Sequence, residues 1–569
     1  MGKKIELLAP AGSLANLKAA IVNGADAVYL GMNKFGARAY AKNFNSDFLK
    51  KAVQICKSNN VKLFLTMNTL IKNEELSEFF KQLNYAYKCG IDAVIIQDCS
   101  FIDLIKNNYP DLKVHISTQT GVMNSFHANI LKDADRINLA RELNKSNIKF
   151  IRKNFGKELE IFVHGALCVS ISGSCLFSSF IGGRSGNRGK CAQPCRKKYS
   201  GCFYLSTKEL NLLAKIPELI EKGIDSIKIE GRMRTPYYVA TTTSVYRKAI
   251  DDFYSGKFKI TPEMKEKLKS AFSRDFTEGC YSSEDVFNRE KATGESKVIE
   301  KEYEVPIKFV LINRQSINFK VSKIPEKEAE EKRLFVRVYN FEDGIVASEN
   351  GADIVYLDLF DKDFVKLKNK IKSKLYAVTP RIMFDSDVEK IKERIKEISP
   401  DGLLAGNLGV LGFKLKMPIH LDYNCNCFND LNLNYLETLG AFPIISPELS
   451  IKEQSEFKNK NFASFVHGKI RLMTLVHKFD KNEIEDEKGF KFFINPIFNG
   501  FEILNEKELG LFNKCKNLRN SGIVNFFIDT EKDVGKIVKI YRQILDGKTV
   551  DVSKIKNNYV LGWSEKGVL

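Results

Sequence analysis

The chain repeats itself. NGADAVYL at residues 23–30 returns as NGADIVYL at 350–357, and FVHG at 162–165 returns at 465–468. GCFYLSTKELNLL leading to GIDSIKIEG (201–231) returns as GFEILNEKELGLF leading to GIVNFFIDT (500–530). The matches keep their order and nearly constant offsets, so the second half is a copy of the first rather than a chance likeness. Whatever fold one half adopts, the other adopts in outline.

Each copy reads as alternating strands and helices. In the first, short apolar runs occur at 5–10, 26–31, 62–68, 92–98, 113–119, 135–141, 159–165 and 225–231. Between them lie segments such as SLANLKAAIVNG, with apolar residues at helical spacing and Gly24 as a stop. Eight strands alternating with helices predict an α/β fold, a closed (β/α)8 TIM-like barrel, here duplicated. An open doubly wound sheet is the rival. The expected organisation is a catalytic barrel over 1–255, a charged linker with a small β-module over 256–333, a degenerate second barrel-like copy over 334–548 and a tail over 549–569. Within the middle region, 304–323 carries two β-like runs about a polar turn, and 324–333 reads as a solvated helix or linker.

The link after the seventh strand is exceptional. It is about 60 residues long and contains Cys168, Cys175, Cys191 and Cys195, spaced C-x6-C-x15-C-x3-C. Loops at strand C-termini build the active site of such barrels, which places the cysteines at the catalytic end. Zinc knuckles favour C-x2–4-C pairs, and only Cys191 and Cys195 come close. Four thiolates also satisfy an iron–sulfur cluster. Unligated thiols are the third reading. Gly173, Gly182, Gly183, Gly186 and Gly189 allow the loop to fold tightly. Cys202 is near enough in sequence to substitute for one ligand, although Phe501 at its place in the copy favours a structural role.

The second copy lacks these cysteines: Arg471 stands in the place of Cys168, Asp529 in that of Glu230 and Pro447 in that of Arg141. It is read as a non-catalytic partner barrel.

Twelve cysteines in 569 residues is no disulfide-scaffold density, the apolar run after the first lysines is too short for a signal peptide, and no stretch nears a bilayer-spanning length. A cytoplasmic protein is expected. The formal net charge of +19 attracts polyanions, with nucleic acid the first candidate and a generally lysine-rich proteome the alternative.

ELLAPAGSLANLKAAIVNGADAVYLG, STQTGVMN, LARELN, FVHGALCVSISGSCLFS, GRSGNRGKCAQPCR, KIEGRMR and AFSRDFTEGC together resemble the U32 peptidase family, also called collagenase-like. The resemblance covers at least residues 5–280. It implies oxygen-independent hydroxylation of an RNA base, a transfer-RNA uridine or a ribosomal-RNA cytidine, with the extended two-barrel form closest to the ribosomal-RNA branch. It also implies a 4Fe–4S cluster on Cys168, Cys175, Cys191 and Cys195 (zinc being the alternative metal), and prephenate as a co-substrate. The electron donor stays unnamed.

Polar residues at strand ends complete the candidate site. Glu230, Asp98 and Arg141 are the catalytic candidates, the two acids as proton carriers if burial raises their pKa. Asn68, Gln119, Arg184 and Arg232 are the substrate-binding candidates, the arginines as clamps for a carboxylate or phosphate. Tyr29 and Phe35 are either base-stacking rings or core. Two other functions compete. A peptidase would use His164 with Cys168, since the chain has neither HExxH nor GxSxG. A pure RNA-binding or assembly factor would need no chemistry.

Overall fold

A computed structural model describes residues 4–299, 301–317, 319, 324–550 and 559–569. The chain divides into two units. The first comprises Met1–Ile71, Glu75–Gly173 and Gly186–Val321; the second comprises Lys72–Glu74, Ser174–Ser185 and Ser322–Leu569.

All eight expected strands of the first copy form: β1 (Glu6–Pro10), β2 (Ala27–Gly31), β3 (Lys62–Met67), β4 (Ala93–Ile96), β5 (Lys113–Ile116), β6 (Arg136–Asn138), β7 (Glu158–Ala166) and β8 (Ser226–Ile229). Each pairs in parallel with the next, and β8 pairs with both β7 and β1. The sheet is therefore closed, and the doubly wound alternative falls. Apolar Leu8, Ala27, Tyr29, Phe64, Ala93 and Ile95 pack as one buried cluster. At the N-terminal side the barrel holds charge instead. Arg136 pairs with Glu6 at 2.6 Å and with Glu160 at 3.1 Å, and Lys228 reaches Glu160 at 2.9 Å. Burial of such ions is tolerable because each carboxylate has a cation against it.

The first helix shows how local sequence sets the elements. Ser13 caps Leu14–Val22 by accepting from the Asn16 amide, and the chain then turns through Gly24 at φ 86°. That left-handed conformation suits glycine, and a Cβ there would stand 2.6 Å from the Arg247 side chain.

The second copy repeats the plan in β9 (Arg333–Arg337), β10 (Ile354–Asp358), β11 (Lys374–Val378), β12 (Gly402–Ala405), β13 (Ile419–Leu421), β14 (Ala441–Pro443), β15 (Ser464–Gly468) and β16 (Asn525–Asp529). β16 lies between β9 and β15. The remaining gap is bridged where the Ala463 amide donates to Pro443 at 3.0 Å and its carbonyl accepts from Ile445 at 3.0 Å. After β7 the chain returns through Glu209–Asn211, antiparallel to β7; after β15 it returns through Leu509–Gly510, antiparallel to β15.

Two expectations of organisation are corrected. First, the first unit runs past residue 255: helix Pro262–Ala271 and strand Phe276–Thr277 belong to it, the strand pairing with Glu209 and Leu210. Second, no strand occurs among the described residues of 304–323. Residues 306–317 carry no regular structure and hydrogen-bond to side chains of helices Ser46–Ser58 and Leu76–Cys89. Gln54 both donates to and accepts from Val310 at 2.9 Å, Ser58 does the same for Lys308, and Asn84 accepts from the Ile317 amide. The antiparallel sheet that does exist lies inside the second copy, after β15, with strands Arg471–Leu475, Glu483–Glu485, Lys491–Ile497 and Gly500–Asn505. Of the two readings of 324–333, helix or linker, the linker fits: residues 324–332 form no helix.

Candidate active site at the C-terminal end of the first barrel

The C-terminal ends of β1 to β8 gather polar groups around Glu230, the residue after β8. Arg38, from the loop after β2, meets Glu230 Oε1 through Nε and Nη2, both at 3.1 Å. The Tyr29 hydroxyl faces Glu230 Oε2 at 3.2 Å and donates to the Ile229 carbonyl at 2.9 Å. Arg232 donates to Thr66 Oγ1 and, at 3.3 Å, to the Arg38 carbonyl. Room for its guanidinium depends on Gly31, where a Cβ would stand 2.5 Å from Nη1.

Burial alone would raise the Glu230 pKa, but Arg38, Arg232 and Arg141 outweigh it and hold the carboxyl below its ordinary value. The arginines thus favour the charged carboxylate, and the condition attached to Glu230 as a proton carrier, a pKa raised by burial, is not met. Burial lowers the Arg232 pKa to about 10. Asp98 Oδ1 accepts from the amide and hydroxyl of Ser100, at 3.0 and 2.6 Å, and so shapes the turn into helix Phe101–Asn108.

Arg141 donates to the Ala166 carbonyl at 3.2 Å and to Ser172 Oγ at 2.6 Å, while its buried Nε has no hydrogen-bond partner. It thereby ties the end of β6 to both flanks of Cys168. Asn68 accepts from the Ala37 amide at 3.1 Å and donates to Ser117 Oγ at 2.9 Å. The Gln119 carbonyl accepts from Gln97 at 3.3 Å, and Gly173 crosses it so closely that a Cβ would lie 1.9 Å away. Arg184 is exposed on Ser174–Ser185, a segment of the second unit. Tyr29 and Phe35 are both core residues, Phe35 packing edge-on against Phe79 at 5.4 Å.

The cysteines divide. Cys168, Cys191 and Cys195 belong to the first unit, and Cys175 lies on Ser174–Ser185. Burial pushes the Cys195 thiol up to about 12, with Cys168 and Cys191 close enough to add to the rise. The Gln193 amide donates to Cys191 Sγ at 3.3 Å, in a turn where Gln193 takes φ 55°. Arg196 clasps the loop's base, donating to the carbonyls of Leu167 and Thr207 at 3.1 and 2.9 Å. The loop reaches the barrel at Gly189, whose carbonyl accepts from Ala39 at 3.1 Å, and Cys191 bears electrostatically on Arg38. None of the twelve cysteines forms a disulfide. Among the described residues, no group of three or more His, Cys, Asp or Glu is disposed to hold a metal ion. The donor chemistry nevertheless suits iron–sulfur ligation: Cys168 and Cys191 within electrostatic reach of Cys195, an amide aimed at sulfur, and a fourth cysteine seven residues from the first.

His164 does not behave as a base for Cys168. Burial lowers its pKa to about 3, its ring is enclosed by Tyr238, Tyr246 and Phe276, and Nδ1 faces the Tyr246 hydroxyl at 3.4 Å. The copy repeats the arrangement: Tyr246 donates to the Val163 carbonyl at 2.9 Å, and Tyr541 to that of Val466 at 2.8 Å beside His467. Repetition in a half without the cysteine marks a packing device.

Sequence reasoning missed Arg38, whose signal is the glycine-bracketed stretch GMNKFGAR after β2. Beside Arg141, Glu142 is buried and its Oε2 has no hydrogen-bond partner. Burial raises this carboxyl to about 7. The folded protein then holds a proton that the unfolded chain has lost, so stability falls as pH rises from about 4.5 through 7. Glu142→Gln is expected to remove that fall and to exceed the parent at pH ~8 by on the order of 2 kcal/mol. Urea unfolding at acid and alkaline pH checks this; parallel declines in the two proteins would refute it.

A match to peptidase family U32 spans residues 12–291 and 362–474, more than half of the sequence. The chain belongs to this family. An uncharacterized protease of Methanocaldococcus jannaschii is 41% identical over 299 residues, covering 49% of this chain and 73% of that protein. A tRNA hydroxylation protein of Bacillus subtilis is 37% identical, covering 48% of this chain and 70% of the relative. The 23S rRNA 5-hydroxycytidine C2501 synthase of Escherichia coli is 37% identical over 44% of this chain and 39% of that protein. Among the described residues of this U32 chain, no helix is long and apolar enough to cross a membrane.

Proposed function

We propose that the chain hydroxylates a base of transfer or ribosomal RNA in the cytoplasm, without molecular oxygen, using a 4Fe–4S cluster on Cys168, Cys175, Cys191 and Cys195 and a small carboxylate such as prephenate. The observation that carries the reading is the convergence of three guanidiniums on one carboxylate. Arg38, Arg141 and Arg232 all act on Glu230, leaving an excess of positive charge where the barrel strands end. Such an excess suits an anionic co-substrate or a phosphate. Arg141, with a buried unpartnered Nε, has a donor to spare. The net charge of +19 suits a polyanionic substrate, and the names of two of the relatives quoted support RNA as that substrate.

When bound, the cluster would supply electron transfer or a Lewis-acid position, as thiolate-held iron does. The chain's own residues do the remaining work. Glu230 stays charged and orients Arg38 and Arg232; Arg141 offers Nε. A base on which an enzyme does chemistry must leave its stack, which favours loops and single strands of RNA.

Nucleoside mass spectrometry on both RNA pools, from cells with and without the gene, tests the reading. One nucleoside is expected to lose an oxygen atom's mass in the deletion strain and to recover it on complementation. Unchanged nucleosides beside tight, salt-dependent RNA binding would establish a binding factor instead.

A further inference from the structure

We propose that residues 559–569 act as a clasp that holds the Cys175-bearing segment Ser174–Ser185 on the second unit, fixing the position from which Cys175 can serve as a ligand. The consequence for a ligand rests on the cofactor reading above; the clasp itself rests on contacts inside the second unit.

The segment contains only a six-residue helix, Phe177–Gly182. So short a helix has no stability of its own and is ordered by what packs against it. Its first half is held by the antiparallel sheet. The Leu176 amide donates to the Leu472 carbonyl at 2.8 Å, and the Phe177 ring meets Phe492 edge-on at 5.0 Å. Ser179 donates to the buried Glu448 carboxylate.

Its second half is held by residues 559–569. The Leu569 amide donates to the Gly183 carbonyl at 2.9 Å, and the Ser185 amide donates to the Leu569 carbonyl at 3.4 Å. Gly183 takes φ 67°, and a Cβ there would stand 2.7 Å from the Trp563 ring, so the indole lies directly on the glycine. Gly562 similarly approaches Phe180, where a Cβ would stand 3.2 Å from the ring and 3.0 Å from Leu509.

The clasp is itself anchored at both ends. Val560 exchanges backbone hydrogen bonds with Glu508 and Gly510 at 2.9 and 3.0 Å. Ser564 accepts from the Ile451 amide at 2.7 Å. The Val568 carbonyl accepts from Lys72 at 2.9 Å, and Lys72 also pairs with Glu453. A mere surface tail would not carry a side chain as buried as Val568, 2% exposed.

Trp563 is the sole tryptophan, so its emission reports on the clasp directly. The experiment compares the full-length parent with Gly183→Ala and Trp563→Ala by hydrogen-exchange mass spectrometry, alongside iron and acid-labile sulfide measured after anaerobic purification. In both variants the amides of 176–185 are expected to exchange at least ~10-fold faster while β9–β16 keep their protection. The Trp563 emission of Gly183→Ala is expected to shift to the red, and iron per chain to fall. Unchanged protection over 176–185 would overturn the clasp. Loosening with iron content equal to the parent's would overturn its role in presenting Cys175. If the parent itself binds no iron and the segment still loosens, the clasp stands and the cofactor reading alone falls.

Discussion

Cys168→Ser protein, purified without oxygen, is expected to lack both the iron–sulfur absorption and the RNA modification, while keeping the fold of the first barrel. The expectation follows from where the residue sits. Its neighbours are fixed independently of its sulfur: Leu167 by Arg196 and by Thr207 Oγ1 at 3.0 Å, Ala166 and Ser172 by Arg141. Exchanging sulfur for oxygen therefore leaves the loop's supports in place and removes one soft ligand. Cys191→Ser and Cys195→Ser are expected to behave alike.

Cys202→Ser provides the contrast. Cys202 closes a turn with Tyr199 through paired backbone hydrogen bonds, and its thiol faces the Tyr199 carbonyl at 3.8 Å. It is expected to keep both colour and activity. Circular dichroism controls for folding, and nucleoside mass spectrometry reads the product. A Cys168→Ser protein that modifies RNA at the parental rate would remove the cluster from the reaction.

The barrel was legible because parallel strands buried on both faces read as apolar runs, and eight of them recur between helical segments. The duplication was legible because a copied fold keeps its landmarks: FVHG ends β7 in one half and β15 in the other. Other features depend on contacts that no local pattern encodes. The run 304–323 reads as β-like, but nothing in it says that Gln54 and Ser58 will occupy its hydrogen bonds in place of a partner strand. Ser174–Ser185 follows the strand of one barrel and is fixed by Leu472, Phe492 and Trp563 of the other copy. Glu230 was found by its position at a strand end. Its charge state was not, because that depends on Arg38 arriving from a different loop.

In the second copy the equivalents of Cys168 and Glu230 form an ion pair. Arg471, 2% exposed, donates to Glu502 at 2.8 Å, to the Tyr339 hydroxyl at 2.6 Å, and to Asp529. Arg381 completes the network, with Asp422 at 2.7 Å and Glu502 at 3.6 Å. Arg471→Met is expected to destabilise this unit by roughly 3–5 kcal/mol, because it leaves buried carboxylates without their cation. The pH dependence distinguishes this cause from lost packing. Burial would raise the Asp529 pKa, but Arg471 and Arg337 hold it below the ordinary carboxylate value. The parent therefore draws stability from Asp529 above the unfolded carboxylate pKa, about 3.9, and loses it as pH falls through the lower folded value. Without Arg471 the burial effect dominates, the folded pKa rises, and the cost appears on the alkaline side. The gap between the two proteins should thus be widest near neutrality and narrow in acid. Urea unfolding, followed by hydrogen exchange in β15 and β16, measures it. Adding Asp529→Leu to Arg471→Met should recover a substantial part of the loss, since the stranded charge is then gone. A pH-independent gap with no recovery would mean that Arg471 matters as volume alone. Where the first copy presents a thiol and a carboxylate beside arginines, the second pairs the residues at those places with each other.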